Sequence, residues 1–277
     1  MGLRINTNIS SLAAQRALGK TTRDLNSNLR KMSSGERITR AADDAAGLAI
    51  SEKLKAEIRG TRQAKRNADD GISLVQTAEG GLSEISNIII RLRELAVQAS
   101  SDTVGDTERS FSNIEFEQLK EEIDRISKSS EFNGTPLLNA QGGLLEIQIG
   151  TKNNPFNDRL KYDGSIINST LESLGIANET VSGKESAQMS LERLDDALVQ
   201  VNGFRAELGA LQNRLTSVVN NLGISEENLS QANSRIRDVD MASETASLAK
   251  NQILNQAGVS VLAQANQSPN FALKLLS

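Results

Sequence analysis

Histidine, cysteine and tryptophan are absent from the 277 residues of this chain, and each absence removes a class of chemistry. Without Cys there is no disulfide framework and no thiolate nucleophile. Without His there is no Ser-His-Asp triad and no imidazole ligand for a transition metal. Carboxylates, Lys, Ser and one Tyr are all that would remain for acid–base work. Aromatic residues make up 3%, and none of the six Phe or the single Tyr precedes Phe111. The apolar surfaces must therefore be built from Leu, Ile, Val and Ala, the composition of long packed helices rather than of a ring-rich globular core. With 31 basic and 35 acidic side chains the net charge is −4, which gives no electrostatic reason to expect nucleic acid as a partner. No apolar run is long enough to span a membrane, and the first residues lack the apolar centre of a secretory signal. Residues 1–40 carry eight basic and two acidic side chains, read as the charged face of an amphipathic helix.

Proline is scarce too. The three sit at Pro136, Pro155 and Pro269, so 1–135 and 156–268 contain no obligatory helix breaker. Within these stretches apolar residues recur at alternating steps of three and four. One stripe runs from Leu194 through Ala197, Val201, Leu208 and Leu215 to Val239, with a single polar lapse at Ser225. A second runs from Ala68 through Val75, Leu82, Ile89 and Leu92 to Ala99, and a third through Phe111, Ile114, Leu119, Ile123 and Ile126. Sustained 3/4 spacing predicts helices packed along one seam. Between them, 133–183 is rich in Asn, Gly, Ser and Thr and holds the alternating run Leu145 to Ile149, so it predicts short strands and turns. The expected fold is mainly α: a long antiparallel helical bundle or coiled-coil rod with a small β-hairpin insert, its N- and C-terminal helices paired.

The two ends differ from the middle. Ile5, Ile9, Leu12, Leu25 and Leu29 at one end and Ile253, Val261 and Leu262 at the other are spread among Ala, Asn, Gln and Ser. Such segments are too poor in bulky groups to fold alone and order when a partner completes the surface.

No catalytic, cofactor-binding or metal constellation emerges. The acidic pairs Asp43-Asp44, Asp69-Asp70, Glu121-Glu122, Asp195-Asp196 and Glu226-Glu227 are adjacent, hence about 100° apart on a helix, and read as solvated helix faces. Asn67-Ala-Asp-Asp-Gly71 fails as a calcium loop because Arg66 would hold the first ligand position. Ser33-Ser-Gly-Glu36 reads as a break between two helices. Arg91, Arg93 and Glu94 form a charged patch beside the second stripe.

Several motifs carry a resemblance. They are Ile5-Asn-Thr-Asn-Ile-Ser-Ser-Leu12, Ser33-Ser-Gly-Glu-Arg-Ile38, Ala41-Ala-Asp-Asp-Ala-Ala-Gly-Leu-Ala-Ile50, Asn67-Ala-Asp-Asp-Gly-Ile72, Leu92-Arg-Glu-Leu-Ala-Val-Gln98 and Glu131-Phe-Asn-Gly134. In the second half they are Asn228 to Asp240, Ile253 to Gln267 and Leu273-Lys-Leu-Leu276. In this order the sequence resembles bacterial flagellin, of a minimal type without large outer domains. The resemblance implies a structural subunit, not an enzyme, that polymerises into the helical flagellar filament used for swimming. It implies an inner terminal domain of 1–44 plus 237–277 and a helical rod of 45–236, with its β element at about 136–180. Polymerisation residues would be the eight terminal apolar ones named above. Innate-receptor recognition and a subunit interface would fall on Arg91, Arg93, Glu94, Leu95, Gln98 and Glu115. Implied partners are the chain itself, flagellar hook-associated and cap proteins, a flagellin export chaperone and Toll-like receptor 5, with no cofactor, no nucleic acid and no membrane span. The implied location is the extracellular flagellum, reached through the flagellar type III apparatus without a cleaved signal peptide; a sheathed or periplasmic placement stays open. The alternative is a hook–filament junction protein of the same superfamily. A metalloprotease of the kind inserted in some flagellins would require the His that this chain lacks.

Overall fold

The structure, a computed structural model, describes residues 7–274, with side chains described for 7–267. Among the described residues five helices and two short hairpins follow in order. They are α1 (Ile9–Ser34), α2 (Ala45–Ala99), α3 (Asp106–Ser129), β1 (Glu131–Phe132), β2 (Thr135–Pro136), β3 (Leu144–Gln148), β4 (Arg159–Asp163), α4 (Lys184–Arg237) and α5 (Met241–Lys274). They divide into two compact units, residues 58–227 and residues 1–57 with 228–277, so the division falls inside α2 and α4.

The unit 58–227 holds the large core. The α2 and α4 stripes face one another: Ala68, Val75, Ala78, Leu82, Ile85, Ile89, Leu92, Ala96 and Ala99 are buried with Leu194, Ala197, Val201, Leu208 and Leu215. Beyond Leu215 the α4 stripe is half-buried. Antiparallel direction is fixed at the rim by three ion pairs, Arg62–Glu226, Glu79–Arg205 and Arg93–Asp195, in which rising α2 numbers meet falling α4 numbers. The third stripe is only partly as expected. Ile123 is buried and Leu119 and Ile126 half-buried, but Phe111 and Ile114 are exposed and Phe116 takes the core position instead. Two cations also occupy the buried row of α3. Arg109 donates to the Ala99 carbonyl at 2.8 Å and the Ser101 carbonyl at 2.9 Å, so it closes the C-terminus of α2. Lys120 donates to Glu117 and to the Glu179 carbonyl at 2.9 Å.

The β element consists of two antiparallel pairs, β1–β2 and β3–β4. It begins at Glu131, before the expected start near 136, because Asn133 (φ 50°) and Gly134 (φ 76°) form the left-handed two-residue turn that closes β1 onto β2. Glycines on α2 admit this element closely. A Cβ at Gly71 would meet Ile147 Cδ1 at 2.7 Å, and one at Gly81 would meet both Leu138 Cδ1 and Ser130 Oγ at 2.7 Å. The lost helix propensity of Gly is the counterpart of that approach.

In the other unit, α1 starts on Asn8, whose side chain accepts from the Ser11 N–H at 3.0 Å. It ends on Gly35 at φ 72°, with the Gly35 N–H on the Lys31 carbonyl. The break expected at Ser33-Ser-Gly-Glu36 is thus a left-handed helix cap. Asp43 and Asp44 do not lie on a solvated helix face. Asp43 accepts from the Thr39 hydroxyl and the Thr39 and Arg40 N–H groups, and Asp44 accepts from the Gly47 N–H at the start of α2. The Thr39 hydroxyl above all, with those backbone donors, holds the Asp43 carboxyl below the ordinary carboxylate range.

Candidate functional site

Two surfaces gather the residues singled out by sequence. The first is the pair α1–α5. Their seam is small and polar where a core would be bulky. Asn8 donates to the Ala265 carbonyl at 2.7 Å, Ser11 to Asn266 at 2.7 Å, and Asn255 to the Thr22 hydroxyl at 3.0 Å. With its amide oriented to satisfy both ends, Asn28 donates to Glu244 at 3.0 Å and accepts from Asn251 at 3.1 Å. Gly258 lies against Leu18, close enough that a Cβ there would stand 3.3 Å from Leu18 Cδ1. Buried amides fix register between two helices and contribute little hydrophobic stabilisation.

The bulky terminal residues split accordingly. Leu25 and Leu262 are half-buried. Ile9 (61% exposed), Leu12, Leu29, Ile253 (66% exposed) and Val261 stand in solvent. Leu254 and Val259, which the sequence reading did not single out, are exposed beside them. Ile5 lies outside the described residues. The helix pair therefore presents more large aliphatic side chains outward than it encloses.

At the base of this pair the two chain crossings are stitched together. The Arg37 N–H donates to the Arg237 carbonyl at 2.6 Å and the Val239 N–H to the Gly35 carbonyl at 3.0 Å. Arg237 is ion-paired with Glu52 and with Glu36, whose carboxylates raise its guanidinium above the ordinary pKa. This charged joint carried no sequence signal, since its members are two hundred residues apart.

The second surface lies in the other unit. Arg91 on α2 donates to Glu94 at 2.9 Å and, from two nitrogens, to Glu115 on α3 at 2.8 and 3.0 Å. Glu94 first and Glu115 second hold its guanidinium above the ordinary pKa. Arg93 is turned away from them, paired with Asp195 on α4 at 2.6 Å. Gln98 is exposed with Arg91, Glu94 and Glu115. Leu95 is not part of that face: it is 2% exposed, because its position on α2 turns it into the core with Leu92 and Ala96. Around the charges lie four exposed apolar residues, Ile90 and Val97 on α2 and Phe111 and Ile114 on α3. Since Arg91 meets Glu115 and Ala99 meets Arg109, antiparallel geometry brings Val97 opposite Phe111.

Among the described residues no group of three or more His, Cys, Asp or Glu is placed to hold a metal ion, and no helix is long and apolar enough to cross a membrane.

Comparison with known proteins adds the following. The family model of the bacterial flagellin N-terminal helical region matches residues 5–142, and that of the bacterial flagellin C-terminal helical region matches 191–276. The chain is 45% identical to a flagellin of Halalkalibacterium halodurans, over 98% of this chain and 99% of that one. It is 42% identical to the flagellar filament 30.7 kDa core protein of Treponema maltophilum, over 99% of each. The crystal structure of Bacillus cereus flagellin superimposes with a TM-score of 0.51 at 31% identity, covering 57% of this chain and 88% of that one.

Proposed function

The chain belongs to the bacterial flagellin family and is a structural subunit of the flagellar filament, and on that premise we propose that it polymerises through the outward faces of its paired terminal helices. The observation that carries this is the exposure of Ile9, Leu12, Leu29, Ile253 and Val261 on a pair whose own seam is joined by Asn, Ser and Thr side chains, with Leu18 against Gly258. Isolated, those side chains gain nothing from helical spacing; stacked against neighbouring copies, removing the remaining exposure of each stabilises the polymer by about 1–2 kcal/mol. In this reading 1–44 with 237–277 is the inner filament domain and 45–236 the helical rod, and Arg237 ties the chain crossing after α1 to the one before α5.

The Arg91–Glu94–Glu115 face with its apolar surround is the second contact. We assign it both to a neighbouring subunit and, in the free monomer, to Toll-like receptor 5, so filament and receptor compete for it. Arg91→Ala should weaken receptor signalling by the monomer; an unchanged signal would remove the receptor from this assignment. A cap and hook-associated proteins would meet the same terminal helices at the filament's two ends. An export chaperone would cover their aliphatic faces before passage through the flagellar type III apparatus to the cell exterior. The composition of the ends, poor in bulky residues and free of Cys, supports passage as an unfolded chain.

Seeded growth tests the polymerisation reading. Full-length protein should elongate seeds into long filaments that sediment, whereas a fragment of 45–236 should stay folded, helical and monomeric at the same concentration. Amide exchange within 9–34 and 241–274 should slow by orders of magnitude on assembly. Filaments grown from the fragment would remove the terminal helices from the mechanism.

A further inference from the structure

Phe156 is 95% exposed, more than any other large apolar side chain described. It sits in the loop joining β3 to β4, and that loop is braced from within. The Asn154 N–H donates to Asp158 at 2.9 Å, the Asp158 N–H returns to the Asn154 carbonyl at 2.8 Å, and the Phe156 N–H donates to the Asn154 side chain at 3.0 Å. Below it the Ile149 and Gly150 N–H groups share the Asp158 carbonyl, and Gln148 donates to the Gly150 and Lys152 carbonyls. An aromatic ring held in water on a tied loop has little conformational freedom left to lose on docking, the property of an interface anchor.

An acceptor exists on the same unit, out of Phe156's own reach. Phe156 stands beside Asn213, Arg214, Ser217 and Val218 of α4. The patch of Ile90, Val97, Phe111 and Ile114 lies around Arg91, two positions before the Arg93 that is paired with Asp195. Asp195 and Val218 are separated by roughly 35 Å along α4 at ~1.5 Å per residue. One copy cannot join the two features; two copies offset along the helix direction can. We infer that the Phe156 loop of one copy docks on the Ile90–Val97–Phe111–Ile114 patch of the next, a head-to-tail contact repeated along the filament. This deepens the second contact proposed above and rests on the reading that the chain polymerises with itself.

Symmetry and two observations select this pairing. A polymer grows through contacts between two different surfaces, whereas a surface meeting its own copy closes as a two-fold dimer. The rival acceptor, a groove lined by Tyr162, Ile166, Leu208 and Leu211, shares Arg214 with the Phe156 site and so belongs to the same face. Charge agrees as well: Lys152 is the exposed cation of the loop, and the Arg91–Glu94–Glu115 cluster at the rim of the patch sets two carboxylates against one guanidinium and so keeps an excess negative charge.

The absence of Cys makes the test direct. In full-length protein, Phe156→Cys combined with Ile114→Cys places thiols that can bridge only between copies, since a disulfide needs Cα atoms within about 7 Å. Filaments of the double variant, oxidised mildly and run without reductant, should give a ladder of covalent oligomers, while each single variant and the unassembled double variant should give none. Intact filaments without a ladder overturn the contact and leave polymerisation standing. Failure of the unaltered chain to form filaments overturns the reading on which the contact rests. Phe156→Ala gives an independent readout: the critical concentration for elongation should rise about tenfold with subunit melting unmoved, and an unchanged critical concentration overturns the contact.

Discussion

Asn8 and Ala265, 257 positions apart, are joined by a 2.7 Å hydrogen bond from the Asn8 amide to the Ala265 carbonyl. The bond ties the beginning of α1 to the far part of α5. It also typifies the seam between them, which is specified by amides and hydroxyls and leaves most of the large aliphatic side chains outside. A pair built this way has a defined register and little stability of its own. A subunit that must complete itself with copies of itself calls for that combination.

Tyr162 reports on the other unit. It is the single tyrosine, buried, with its hydroxyl donating to the Leu137 carbonyl at 2.9 Å, and burial first and Asp163 second push its pKa from 10.0 up to about 12. The neutral form is the one the fold holds. Its contribution is therefore complete below pH 10 and is lost as pH rises from there through about 12. Tyrosinate absorbance of the native protein should appear near pH 12, and in denaturant near pH 10. Coincident titrations in the two states would mean that the hairpin does not cover the ring.

Leu215 is the last fully buried member of the α4 stripe. Leu215→Ala should destabilise the subunit by about 2–5 kcal/mol through lost burial and a residual cavity, visible as a lower melting temperature. An unmoved melting curve would contradict the packing of α4 on α2.

The helical glycines separate by their surroundings. Gly203 on α4 has nothing within 4 Å of an added Cβ, so Gly203→Ala should stabilise by about 0.5–1 kcal/mol. Gly81 on α2 faces Leu138 and Ser130, and Gly81→Ala should destabilise by about 1–3 kcal/mol because the β element must move. Thermal melts of the two variants should shift in opposite directions.

How far the fold could be read from sequence depended on whether apolar residues alone mark the seam. They do along α2 and α4, and there the stripes are the observed core. On α3 they do not. Arg109 and Lys120 fill core-facing positions by reaching backbone carbonyls, which hides the true row and shifts the apparent one onto Phe111 and Ile114. The same masking acts at the ends. Ser11 and Asn28 are the most enclosed described residues of α1, so hydrophobic spacing marks the outward face of the helix rather than the seam. Leu95 was misplaced because a sequence motif does not say which of its members turns inward. Phe156 and the Arg237 joint depend on loop bracing and on residues distant in the chain, neither of which leaves a local pattern.

The outward face is the centre of the account, and the critical concentration for filament elongation measures it most directly. Ile9→Ser combined with Ile253→Ser removes two aliphatic groups from solvent-facing positions and touches no hydrogen bond of the α1–α5 seam. The free subunit should melt as before. Each lost burial, at about 1–2 kcal/mol for side chains already partly covered, corresponds to roughly fivefold to thirtyfold in association, so the double variant should require at least about ten times more subunit to elongate. An unchanged critical concentration would contradict the assignment of these faces to the contacts that build the filament.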